Sequence, residues 1–243
     1  MGGSAIDRLC NKVLNKVYYL RRRLTDIELE RGIVSFTFDD FPASALHAGA
    51  PILEEAGWRG TYYVATGILG TQSACGLVAS DEEVRDCAGR GHEIGNHSIS
   101  HCDLTSVDSA SVRREISGNR FDGMTGNLAY PFGGTNIGVQ RLASHLTTTA
   151  RGVSHGVNGA GTDRFNLLAN PIYSADGTDA LHRHIEEAAR QRSWLIFYTH
   201  DVTDDPSPFG CTPEHLSEIV AAVAEAGMRV LTVEEARIAC GLR

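Results

Sequence analysis

Asp39 and Asp40 are adjacent carboxylates at the end of the apolar run Ile33-Val34-Ser35-Phe36-Thr37-Phe38, and Phe41-Pro42 follows directly. The proline stops a strand there, because it has no N–H to donate to a ladder. Two like charges side by side repel, so the pair calls for a cation or a shared proton. Read singly, the pair also suits a helix N-cap with a solvated neighbour. The run His97-Ser98-Ile99-Ser100-His101 changes that balance. Its histidines are four positions apart, the spacing that puts both imidazoles on one side of a helical turn, where they can meet one metal ion. One carboxylate and two imidazoles leave coordination positions open. Such a set suits Zn²⁺, or a divalent ion of similar ligand preference, that keeps water bound.

Two further stretches carry chemical groups. Ile196-Phe197-Tyr198-Thr199-His200 is an apolar run that ends in a histidine followed by Asp201. An imidazole at the mouth of a buried strand can donate or accept a proton near neutral pH. A satisfied core histidine is the plainer reading of that residue alone. In Leu128-Ala129-Tyr130-Pro131-Phe132-Gly133-Gly134, the glycines let backbone approach a ligand, and Phe132 keeps a free N–H beyond the proline.

These groups need a scaffold that brings them together. Short β-rich runs at 33–38, 61–66, 92–95, 128–132, 195–200 and 228–233 alternate with helical patterns at 43–57, 81–90, 106–121, 136–146, 178–192 and 213–226. Strand then helix, repeated, predicts a parallel sheet, and one (β/α) barrel is preferred to an open sheet because no composition break divides the chain. In such a fold the active site is built at the C-terminal strand ends, where Asp39, Asp40 and His200 fall. Gly57, Gly91 and Gly227 sit where helix C-caps are expected. Residues 149–170, rich in Gly, Asn, Ser and Thr, read as irregular. The other histidines and the aromatic residues are assigned to packing, caps and surface.

Residues 6–24 place Ile6, Leu9, Cys10, Val13, Val17, Leu20 and Leu24 on one helical face, with Arg8, Lys12, Lys16 and the run Arg21-Arg22-Arg23 on the other. This amphipathic helix is expected to pack its stripe on the main body rather than lie on a membrane. The chain is read as an extension, 1–30, and one main domain, 31–243.

With 243 residues and 42% hydrophobic content, the chain can bury a sizeable core and is not a disordered type. Its 22 Lys+Arg against 30 Asp+Glu give a formal charge of -8, which argues against nucleic acid as a partner. Six cysteines without a C-x-x-C pair suggest reduced thiols. With no membrane-span pattern or export signal recognisable, a cytoplasmic protein is the expectation.

Taken in order, the stretches TFDD (37–40), GHEIGN-HSISH (91–101), AYPFG (129–133) and LIFYTH (195–200) resemble the polysaccharide deacetylases with a NodB-type domain, carbohydrate esterase family 4. The resemblance runs from about Gly32 to Val233. It implies an α/β fold, a single distorted (β/α) barrel with fewer than eight repeats, to which the N-terminal amphipathic helix is an addition. It also implies roles: Asp39 as general base, Asp40, His97 and His101 as ligands of one divalent metal, and His200 as the acid that protonates the leaving amine. The backbone N–H of Phe132 joins the metal at the oxyanion position. The metal is Zn by preference, with Co, Ni or Fe as alternatives. The substrate implied is an N-acetylated amino sugar, an oligosaccharide or a lipid-linked glycan. Competing readings are a hydrolase of a small cyclic or linear amide on the same fold, and a non-catalytic carbohydrate-binding barrel. The sequence departs from the family at Ala129, where an arginine that orients the base often stands, and in the stretch that supports the acid histidine. Arg164 is the candidate for the missing positive charge, and Asp163 or Asp201 for orienting His200. Tyr130 joins Arg164 and Asp201 as a supporting or substrate-side candidate.

Overall fold

A computed structural model describes residues 5–21 and 24–242. Its strands are β1 (Ile33–Phe38), β2 (Thr61–Val64), β3 (Gln72–Ser73), β4 (Gly76–Leu77), β5 (Glu93–Asn96), β6 (Asn127–Ala129), β7 (Thr149–Arg151), β8 (Asn170–Pro171), β9 (Trp194–Thr199) and β10 (Arg229–Val230). Its helices are α1 (Ala5–Arg21), α2 (Ala50–Glu55), α3 (Asp81–Gly89), α4 (Ser109–Gly118), α5 (Ile137–Ala143), α6 (Asp179–Gln191), α7 (Pro213–Glu225) and α8 (Val233–Ala239).

The main sheet is parallel, in the order β7-β6-β5-β2-β1-β9-β8, with β10 beside the start of β1. Strands β1 and β9 are buried at every position, as central parallel strands covered on both faces must be. Phe38 lies opposite Thr199 in their register, so Asp39 and His200 leave the sheet side by side. A parallel bridge between Arg151 and Leu167 ties β7 to the segment that runs into β8. The curled sheet is thereby drawn into a distorted barrel. Outside it, Leu53, Val84, Ile185, Leu216 and Val223 of the helices pack on Val34, Phe36 and Phe38. At the end away from the site, buried Glu93 accepts hydrogen bonds from Thr61 Oγ1 (2.8 Å), Thr125 Oγ1 (2.6 Å), Asn127 Nδ2 (2.7 Å) and the Glu234 N–H (2.8 Å). It ties β2, β6 and α8 to β5, and burial raises its pKa.

Several elements depart from the sequence-based expectation. The 149–170 segment contains β7 and leads straight into β8; three- and two-residue strands are too short to show alternation. Of 228–233 only Arg229–Val230 is strand, because Thr232 and Glu235 form a capping box that starts α8. The expected helix at 43–57 opens with a wide turn at Ala45–Gly49 before α2, where Pro51 cannot donate back to the preceding turn. Gly57, Gly91 and Gly227 do take left-handed conformations after their helices.

Helix α1 lies beside α5, where Arg141 Nε donates to Asn15 Oδ1 at 2.9 Å. Its apolar stripe faces outward: Leu9, Val13, Val17 and Leu20 are 64%, 56%, 41% and 71% exposed. The expectation that this stripe packs on the barrel is corrected, since a polar residue makes the described contact. The side chains of Ile6 and Arg8 and the run Arg21-Arg22-Arg23 lie outside the described residues. The chain is stitched to the barrel from Thr25 onward, through Thr25–Thr162 pairing and the buried side chain of Ile27. No helix among the described residues is long and apolar enough to cross a membrane.

Candidate active site

Strands β1, β5, β6, β7 and β9 all run the same way, and the candidate residues stand at their C-terminal ends. Asp39 follows β1, its N–H donating to Thr199 O at 2.9 Å. Asp40 and Phe41 then take left-handed backbone (φ 59° and 48°), turning the chain sharply before Pro42. For residues with a Cβ that conformation is strained, and such strain collects at functional sites.

His97 follows β5. The two histidines do not lie on a helical turn, as their spacing suggested, but on an irregular loop with Ser98 (φ 63°) and His101 (φ 54°) both left-handed. The loop is fixed from outside: Asn96 Oδ1 accepts from the Ser98 N–H, and Glu115 Oε2 accepts from the N–H groups of Ile99 and Ser100. His97 Nδ1 bonds the Ala129 carbonyl at 2.9 Å, which leaves Nε2 facing Asp40. Asp40 Oδ1 lies 3.3 Å from His97 Nε2 and 2.9 Å from His101 Nε2. Even so, this buried oxygen has no hydrogen-bond partner of acceptable geometry. Burial pushes the Asp40 carboxyl up, but the two imidazoles outweigh it and hold the group far below the usual carboxylate range. Burial likewise opposes charge on His97, and Asp40 and Asp39 raise its pKa above the ordinary value. Two imidazole nitrogens converging on an unbonded carboxylate oxygen are the geometry a cation would complete.

Asp39 has a partner that sequence reasoning missed. Arg151, the last residue of β7, is fully buried and bonds Asp39 Oδ1 through Nη2. Its guanidinium lies over the rings of Tyr63 (4.8 Å) and Tyr198 (5.2 Å), the planar stacking that arginine favours. Burial raises the Asp39 pKa, and the charge of Arg151, aided by His97 and His200, more than reverses that. Arg164, the residue expected to supply this charge, instead lies over Phe165 at 4.7 Å. It sits in the loop beyond β7, where it cannot replace Arg151.

The other supporting candidates are corrected too. Tyr130 is buried in the core and donates its hydroxyl to Phe165 O at 2.9 Å, so its ring faces away from any substrate. Asp201 accepts from the N–H and Oγ of Ser207 (2.7 and 2.6 Å), ordering the 201–207 loop rather than His200. Asp163 caps its own turn at Phe165. His200 is oriented by backbone: Nδ1 bonds the Phe209 carbonyl at 3.1 Å, and Nε2 is left for the pocket.

Phe132 is left-handed (φ 58°) and 69% exposed, with its ring 4.5 Å from that of His101. Gly133 beside it is left-handed as well, and a Cβ there would collide with Val153. Asp39, Asp40, His97, His101, Phe132 and His200 line one cavity of about 410 Å³, in the range of small-ligand sites. Ile68, Val153, Tyr173 and Phe209 form apolar walls, and the β3–β4 turn adds Cys75. Burial pushes the Cys75 thiol up to about 11, against the Ser207 hydroxyl, so it is no ready nucleophile at neutral pH.

Replacing Arg151 removes the largest charge that keeps Asp39 ionised and leaves only His97 and His200 to oppose burial. Arg151→Met is therefore expected to move the acid limb of the activity profile to higher pH, by about 1 unit or more. It should also destabilise the fold by about 3 kcal/mol, the cost of a buried charge left unpaired. A pH–rate profile with an unmoved acid limb would separate Arg151 from the ionisation of Asp39.

Residues 26–150, just over half of the chain, match the sequence profile described as polysaccharide deacetylase. A chitooligosaccharide deacetylase of Rhizobium leguminosarum bv. trifolii is 28% identical over 134 residues, 55% of this chain and 54% of that protein. The match thus spans about half the length of that curated relative. Among solved structures, the Xyl-CE4 domain of a multidomain xylanase from the hindgut metagenome of Trinervitermes trinervoides superposes with a TM-score of 0.60. It is 17% identical, over 87% of this chain and 92% of that one. A pseudoenzyme of carbohydrate esterase family 4 from Bacillus anthracis has the same fold (TM-score 0.58, 14% identity, 86% of this chain, 66% of that one). Shared fold alone therefore says nothing of activity, which has to be argued from side chains. The profile match begins one residue after the chain joins the barrel at Thr25, and on it the chain belongs to the polysaccharide deacetylase family.

Proposed function

We propose that this protein is a metal-dependent hydrolase that removes the N-acetyl group from an amino-sugar unit of a glycan or glycan intermediate. The observation that carries the reading is the convergence of Asp40, His97 and His101 on one point. Beside it stands Asp39, kept ionised by a buried arginine. The orphaned Asp40 Oδ1 fits a divalent ion, and a set of two imidazoles and one carboxylate favours Zn²⁺, with Co²⁺, Ni²⁺ or Fe²⁺ suited to the same donors. An ion held there supplies Lewis-acid polarisation and a lowered pKa for water.

The rest falls to the chain. Asp39 accepts the proton of the attacking water, and Arg151 keeps it in the basic form that this needs. The Phe132 N–H donates to the acetyl oxygen as that atom gains charge. His200 faces the cavity with Nε2 and delivers a proton to the departing nitrogen, which would otherwise leave as an unstable anion. The apolar walls exclude water around these steps and offer aromatic surface to a sugar's C–H face. The name of the curated relative supports an N-acetylated oligosaccharide as the substrate class.

Acetate release from N-acetylglucosamine and its oligomers tests the proposal. Activity should vanish on chelation and return with Zn²⁺ or Co²⁺. No acetate release from any of them by the reloaded protein would overturn it.

A further inference from the structure

The cavity holds a second set of metal-ligand donors, of which the proposed reaction gives Cys75 no role. Asp40, Cys75 and His200 offer ligand atoms that all lie within 4.8 Å of one another. Cys75 is 5% exposed and sits at the turn of the β3–β4 hairpin, where its N–H donates to Ser73 Oγ at 3.1 Å and strand pairing joins Ser73 to Gly76. The thiol is thus carried into the pocket on a fixed turn rather than a loose side loop. His200 is aimed by the Phe209 carbonyl at Nδ1, which leaves Nε2 as its ligand atom. Asp40 is 8% exposed, and its Oδ1 has no hydrogen bond. All three residues line the same cavity.

We propose that Asp40, Cys75 and His200 form a second, inhibitory metal position for a thiophilic divalent cation such as Zn²⁺ or Cd²⁺. The inference rests on the preceding reading only for its consequence. Asp40 is common to both donor sets, and a carboxylate shared between neighbouring ions is compatible with the close spacing of two-metal sites. Thiolate, imidazole and carboxylate together suit zinc and cadmium and disfavour Mg²⁺ or Ca²⁺. Binding forms a metal–sulfur bond and releases the thiol proton to solvent, with no change of oxidation state. It also occupies His200 Nε2, the nitrogen that would otherwise deliver a proton to the leaving group. Excess zinc then inhibits the enzyme that the first zinc ion activates.

Cadmium titration of full-length wild type, Cys75→Ala and His101→Ala tests the proposal. Wild type should bind two equivalents, the second with an ultraviolet thiolate-to-metal charge-transfer band that Cys75→Ala lacks. The ratio of activities with and without excess zinc should fall steeply for wild type. In Cys75→Ala, the same fall should need about tenfold more zinc or above, since loss of a donor costs at least what loss of its supporting partner does. A second equivalent that persists in Cys75→Ala, or wild type without the band, would overturn the site. If the band forms but His101→Ala loses no equivalent, the second position stands and the first assignment fails.

Discussion

Asp39→Asn is expected to keep the metal and lose roughly 10²–10⁴ in turnover, the range contributed by a positioned general base. The substitution preserves shape and removes the charge. Asp39 points to Arg151, whereas Asp40 meets the imidazoles, so the side chain removed is not a ligand by geometry. The neutral amide should also leave Arg151 as an uncompensated buried cation, and part of the loss will appear as lower stability. Elemental analysis separates the two. An Asp39→Asn protein that retains near-normal turnover per bound ion would exclude Asp39 as the base. One that loses the metal would show that the two aspartates have exchanged roles. Asp40→Asn belongs in the same experiment, with loss of the metal expected.

His101→Ala is expected to strip the ion and reduce acetate release to background, in stoichiometry measured by elemental analysis. His101 is the better probe of the two histidines because its side chain is 16% exposed. His97 is buried and bonded to the Ala129 carbonyl, so its removal would also disturb the fold. The wild-type ion should be released as pH falls. Asp40 raises the pKa of His97 in the metal-free pocket, so acid favours a proton at the nitrogen that the metal needs. Retention of a full equivalent by His101→Ala would place the ion elsewhere.

The candidate site residues are legible because their spacing is local. Asp39-Asp40, His97, His101 and His200 each stand at the end of a strand or its following turn, and a short window contains each signal. Their partners were not legible for the converse reason. Arg151 is 112 residues from Asp39 and reaches it only because the sheet curls. It stood in a segment whose Gly, Asn and Thr content hid two very short strands. The run Thr149-Ala150-Arg151-Gly152 after a helix was the available signal, and it is weak. The spacing of the histidines fits a helix, but the loop they occupy is shaped from outside their window, above all by Glu115 of α4. In α1 the amphipathic period was correct and its orientation was not. Periodicity identifies a face and is silent about what the face meets.

Five residues around the cavity, Asp40, Phe41, Ser98, His101 and Phe132, have left-handed backbone without being glycine. Such conformations cost about 1–2 kcal/mol each, less for Asp and His, so the five together rival the net stability of an ordinary domain. Glycine at any one of them would relieve that cost and lose about 0.5–1 kcal/mol of it again to chain entropy. The remaining gain would come with a slack loop where aim decides catalysis. Thermostability and the proposed activity thus compete for the same few positions, and a more robust form of this protein is better sought on the outer helices, far from the strand ends.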